Sequence, residues 1–189
     1  HTLKQPHTGV YVVQLACKLT GFLHDDIFEQ AWQKITARHP IFRTGFYWKE
    51  ADKPLQVVYK QVATPVYHLD WRDLSMAEQT ARLSTFLDDD RRQGFLLDKP
   101  PLLRGPLLRL AEHVYQLIWS YHHLLLDGWS LAQALRELFI YYEIIRLDEV
   151  YPMPAPHPYR DYINWLQQQD EEKAAAYWQA QLADITAPT

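Results

Sequence analysis

The chain has 189 residues, 48% of them hydrophobic and 22% charged, which supplies one globular domain or slightly more. A net charge of −4 without a basic tract excludes a nucleic-acid footprint, and no apolar run approaches the length of a membrane span. Cys17 is the single cysteine, so an internal disulfide is excluded and the fold does not depend on an oxidising compartment.

The aromatic share of 14% suits a substantial core or an aromatic-lined groove. No signal peptide is visible, and a chain that begins at His1 rather than Met reads as an excised fragment. The first element is "VYVVQLACKL", residues 10–19. Val13, Leu15, Cys17 and Leu19 share one face and Gln14, Ala16 and Lys18 the other, the period of a half-buried strand. Cys17 therefore reads as a small buried apolar residue.

"DDIFEQAWQKITARH", residues 25–39, reads as a helix with Ile27, Phe28, Ala31, Trp32 and Ile35 on one stripe. Asp25 or Asp26 is placed to cap it, and Pro40 stops it. "IFRTGFYW" and "LQVVYK" read as strands of a hairpin or meander. "SMAEQTARLSTFLDDDRR" reads as a second helix opened by a Ser75–Glu78 capping box. "VYQLIWSYHH", residues 114–123, is apolar on both faces and belongs in the middle of a covered sheet.

A third helix follows over "SLAQALRELFIYYEII". Leu131, Ala134, Leu135, Leu138 and Tyr142 form its stripe, and Ser130 with Gln133 has capping-box spacing. "VYPMPAPHP", residues 150–158, is a proline-rich linker that joins neither helix nor sheet. "YRDYINWLQQQ" and "EEKAAAYWQAQL" are aromatic-rich helices whose stripes need a surface to pack on.

The chemistry concentrates in "SYHHLLLDGWS", residues 120–130, a strand end, a short loop and a helix start. A rigid strand aims side chains there, and the helix start offers free N–H groups. Neighbours on a strand point to opposite faces, so His122 and His123 cannot serve one small ligand together. One face then offers a single imidazole with Asp127, too few groups for a zinc site. Gly128 lets the chain turn tightly. The residues themselves go no further than a candidate general base at a strand–helix loop.

"HHLLLDG" resembles the HHxxxDG motif of condensation domains in nonribosomal peptide synthetases. "RHPIFRTGF", residues 38–46, is similar to that family's RHxxLRTxF motif, with Phe42 in place of leucine. "YRDYINW", residues 159–165, is similar to its YxDYxxW motif, and "GFLLDKPPLLRGPLLRL" resembles the segment before its catalytic strand. Order and spacing agree across nearly the whole chain. A paired-aspartate motif, as in heterocyclisation domains, is absent. "WSL" after the glycine departs from the Val-Ser-Trp continuation of epimerisation domains.

The resemblance implies an α/β sandwich like chloramphenicol acetyltransferase, a mixed sheet covered by helices. Residues 1–150 correspond to the N-terminal lobe, and residues 151–189 to the linker and helices leading to a C-terminal lobe outside this sequence. It implies amide bond formation between two carrier-bound thioesters, with no covalent acyl-enzyme. His123 is then the active-site histidine, as general base or as the group that positions the amine, and Gly128 permits close approach of substrate. His122, pointing into the core, is structural. Asp127 is also structural and pairs in the family with an arginine of the RHxxLRT motif, here Arg38 or Arg43. Trp129 and Ser130 read as a packing residue and a helix cap. No cofactor or metal is bound by this chain; its substrates ride on the phosphopantetheine of upstream and downstream peptidyl carrier proteins. An adjacent adenylation domain and a cytoplasmic location follow from the same resemblance. A stand-alone acyltransferase of this fold and a non-catalytic carrier-docking module are the alternatives.

Overall fold

The computed structural model describes residues 9–48 and 53–184, which fall into two compact units, one ending at Met153 and one starting at Pro154. The first unit is built on a five-stranded mixed sheet. Strand β1 (Val12–Thr20) leads into helix α1 (Asp25–Arg38), a 3-10 turn (Pro40–Arg43) and strand β2 (Thr44–Tyr47). Strands β3 (Leu55–Val58) and β4 (His68–Asp70) precede helix α2 (Met76–Gln93). Strands β5 (Leu103–Arg104), β6 (Leu107–Ala111) and β7 (Val114–His122) then run into helix α3 (Gly128–Leu147).

The doubly apolar strand is central, as its pattern requires. β7 pairs antiparallel with β1 along its whole length, from Val12↔His122 to Thr20↔Val114. Its other edge is shared: β6 pairs with its first half and β5 with its end, at Leu103↔Tyr121 and Arg104↔Ser120. β4 adds parallel to β6, which makes the sheet mixed. β2 and β3 form a separate antiparallel pair.

The alternation of β7 divides the core. Tyr115, Leu117, Trp119 and Tyr121 join Phe28, Trp32 and Ile35 of α1 with Ala134, Leu138 and Tyr142 of α3. Ile118 joins Leu108 and Trp71 on the opposite face, with Leu83, Phe86 and Leu87 of α2 against them. Trp32 and Trp119 meet with ring centroids 4.6 Å apart, both fully buried. Burying each such ring contributes about 1.5–3 kcal/mol through the apolar area it removes from water. Gly105 makes this contact fit, since a Cβ there would lie 2.6 Å from Trp32 Cζ2.

Val13, Leu15, Cys17 and Leu19 pack against the larger cluster as their alternation predicts, but Cys17 is only half-buried. Burial raises its thiol pKa. The Ser75–Glu78 capping box forms, with Glu78 accepting the Ser75 N–H at 2.8 Å. Two other caps differ from expectation. α1 starts at Asp25 with His24 as N-cap and no side-chain cap bond, so neither Asp25 nor Asp26 caps it. α3 starts two residues before Ser130, and Asp127 caps it.

The proline-rich segment has no regular structure through Pro158, and the second unit starts within it at Pro154. Helices α4 (Tyr159–Leu166) and α5 (Glu171–Gln181) follow. Along α4 the Tyr159 and Tyr162 rings meet tilted at 5.6 Å between centroids, and Tyr162 stacks on Trp165 at 5.8 Å. Asp170 caps α5 by accepting the Lys173 N–H at 2.9 Å.

Candidate active site at the end of the central strand

Two backbone bonds hold the histidine pair where β7 ends. The His122 N–H donates to Leu102 O at 3.0 Å, and the His123 N–H donates to Tyr11 O at 2.8 Å. The strand is therefore anchored on both edges at the point where it delivers His123. Beyond it the chain turns, with Leu125 N–H donating to His122 O at 2.9 Å.

The two imidazoles face different media. His122 is 3% exposed and its Nδ1 accepts the Leu124 N–H at 3.1 Å. That bond fixes Nδ1 as unprotonated. Burial, and secondarily the neighbouring His123, lower the His122 pKa to about 4. His122 is thus a neutral structural ring near neutral pH, unsuited to take protons from substrate. His123 is exposed at the first position of the turn. Of the two, only His123 is accessible to a reactant.

Asp127 lies where its motif position suggests but makes different contacts. It is exposed, and one carboxylate oxygen accepts both the Ser130 N–H at 2.8 Å and the Ser130 hydroxyl at 2.6 Å. These bonds lower its pKa, the hydroxyl bond most. The expected buried pair with Arg38 or Arg43 is not formed. Arg38 Nε instead meets Glu137 Oε2 at 2.9 Å, and His39 Nε2 shares that oxygen at 2.7 Å, tying the end of α1 to the middle of α3. Arg43 donates from Nε to Thr36 O at 3.2 Å and from Nη1 to the carbonyls of Tyr59 and Lys60, holding the start of β2 to the end of β3. Capping is the stronger local demand: a helix N-terminus beside a free carboxylate offers it N–H donors without any desolvation of charge.

Gly128 is the first residue of α3. Its φ lies outside the left-handed region and an added Cβ would meet nothing within 4 Å, so neither a tight turn nor internal packing accounts for glycine there. Gly128 is exposed, as are His123 and Asp127. Trp129 is 84% exposed, so it is not the packing residue expected. Among the described residues no group of three His, Cys, Asp or Glu could hold a metal ion. No described helix is long and apolar enough to cross a membrane.

No signal in the sequence points to Glu137, which lies 98 positions from His39. None singles out Asp90 and Arg104 either, although they form a buried ion pair. Arg104 inside the apolar run "LLRGPLL" is the one hint, a charge with nowhere to go but a partner.

A family profile described as Condensation domain matches residues 1–189. The chain is 43% identical to a linear gramicidin synthase polypeptide of Brevibacillus parabrevis, over all of this chain and 4% of that protein. It is 38% identical to bacitracin synthase 1 of Bacillus licheniformis, over 94% of this chain and 3% of that one. The solved starter condensation domain of rhizomide synthetase has the same fold, with a TM-score of 0.84 at 19% identity over 99% of this chain and 46% of that chain. The first condensation domain of the calcium-dependent antibiotic synthetase, solved with a substrate analogue, gives 0.83 at 21% over 100% and 46%. The chain therefore spans a small part of these curated relatives and under half of each solved neighbour.

Proposed function

The chain belongs to the condensation-domain family, and on that premise we propose that it forms an amide bond between two carrier-bound thioesters, with His123 as the working histidine. The observation that carries this reading is the division of labour at the end of β7: His122 is buried and neutral, while His123 is presented to solvent.

In this reaction the acceptor amine, itself tethered as an aminoacyl thioester, attacks the donor thioester carbonyl. A C–N bond forms, a tetrahedral oxyanion collapses, the C–S bond breaks and the donor thiol leaves. The amine gives up one proton on the way. The His123 imidazole accepts a hydrogen bond from that amine, a role that orients the nucleophile and receives its proton alike. Holding two tethered reactants in line supplies the larger part of the rate, up to about 7–11 kcal/mol when geometry is ideal. Gly128 keeps room for substrate to approach the backbone at the start of α3.

The substrates ride on the phosphopantetheine of upstream and downstream peptidyl carrier proteins. Residues 1–150 act as the N-terminal lobe and residues 151–189 lead to a C-terminal lobe, with an adenylation domain adjacent and the assembly in the cytoplasm. The 46% share of the solved neighbours and the compact unit ending at Met153 support the division into lobes. The test is dipeptidyl transfer between loaded carrier proteins by the full-length protein. His123→Ala is expected to reduce product at least about a hundredfold, within the range of a single positioned proton acceptor. Near-normal turnover by the folded variant would remove His123 from the reaction.

A further inference from the structure

A buried polar rung lies two residues before His122, on the same face of β7, and three residues before His123. The register pairs Gln14 with Ser120 across β1 and β7, and Arg104 with Ser120 across β5 and β7. All three side chains converge on one carboxylate. Asp90, near the end of α2, accepts Gln14 Nε2 at 2.6 Å and the Ser120 hydroxyl at 2.6 Å on Oδ2, and Arg104 Nε on Oδ1. Arg104 also donates to Asp90 O and, at 2.9 Å, to Gly94 O, so it closes the C-terminal carbonyls of α2. Its guanidinium lies 4.3 Å from the Phe95 ring centroid. Asp90, Arg104 and Ser120 are 5%, 7% and 0% exposed.

Two residues further along β7 comes His122, the last residue of the strand, and His123 follows it at the start of the turn. Val12 pairs with His122, the His122 N–H is held by Leu102, and the His123 N–H by Tyr11. Two residues of strand separate the rungs, about 7 Å. The carboxylate thus bonds to the three strands, β1, β5 and β7, whose ends hold the histidine pair. A buried ion pair is a weak source of stability beside apolar side chains of equal volume; what it sets is register and geometry.

We propose that Asp90, acting through Gln14, Ser120 and Arg104, is a positioning residue that aims the His123 imidazole. This rests on the reading of His123 given above. Rigid strands hold a reacting group more exactly than loops do, provided the layer beneath is locked. Here that layer is polar, and every named donor ends on the same carboxylate or on the carbonyls beside it.

The experiment compares Ser120→Ala, Ser120→Thr, Asp90→Asn and His123→Ala in the full-length protein, with both carrier proteins loaded. Ser120→Ala removes one hydroxyl and leaves the ion pair in place, so it decides the matter if Asp90→Asn fails to fold. A misplacement of about 1 Å costs about a hundredfold in rate, so the smaller shift from one lost bond is expected to lower kcat about tenfold. KM for either loaded carrier and the Tm are expected to stay near wild type, and Ser120→Thr to recover kcat. A purely structural role would lower the amount of folded protein without moving kcat. Wild-type kcat in folded Ser120→Ala, with His123→Ala inactive, would overturn the positioning role alone. Normal turnover by His123→Ala would overturn both it and the reading on which it rests.

Discussion

His122 is expected to make the fold sensitive to mild acid. Its ring is buried and its Nδ1 accepts the Leu124 N–H, so protonation would place a charge in the core and set two donors face to face. The pKa is lowered from 6.5 to about 4 by burial first and His123 second. The unfolded chain takes this proton near 6.5 and the folded chain only near 4, so in that window the unfolded state binds more protons. Stability is therefore full above about pH 6.5, falls as the pH drops towards about 4, and falls no further from this source below it. The gap, at about 1.4 kcal/mol for each pH unit, sets a ceiling of about 3 kcal/mol. For a chain of this size that corresponds to about 6–12 °C in Tm. His122→Asn isolates the effect, because the amide oxygen can accept the Leu124 N–H but does not titrate. Thermal unfolding followed by circular dichroism from about pH 7.5 to about 4 should show the wild type losing more Tm than the variant, by an amount approaching that range. Parallel curves for the two proteins would refute the reasoning.

The glycines supply two contrasting tests. Gly105→Ala forces a Cβ to within 2.7 Å of two atoms of the fully buried Trp32 ring, and the overpacking should cost about 1–3 kcal/mol, read as a lower denaturant midpoint. A midpoint within error of wild type would mean the loop has room to move. Gly128→Ala meets nothing and sits in a helix, so stability should hold or rise by up to about 1 kcal/mol while condensation slows. Full activity in that variant would show that substrate does not use the space.

The local elements were legible in the sequence because each is decided by its near neighbours. Alternation marked β1, two apolar faces marked β7 as central, and helical stripes marked α1 and α3. Opposite pointing of strand neighbours set His122 and His123 on different faces, and the motif resemblance, not the alternation, said which of them is buried. The partners of the charged residues were not legible. Asp88, Asp89 and Asp90 read alike along the chain, yet only Asp90 turns under the sheet, where Gln14 waits 76 positions away. Arg38 meets Glu137 across 99 positions, and Asp127 caps its own helix rather than binding an arginine. Periodicity is a property of a segment and survives without knowledge of the rest. An ion pair or a hydrogen-bonded rung needs side chains within a few ångströms, and the stacking of α2 on one face of the sheet and α1 with α3 on the other decides which ones meet.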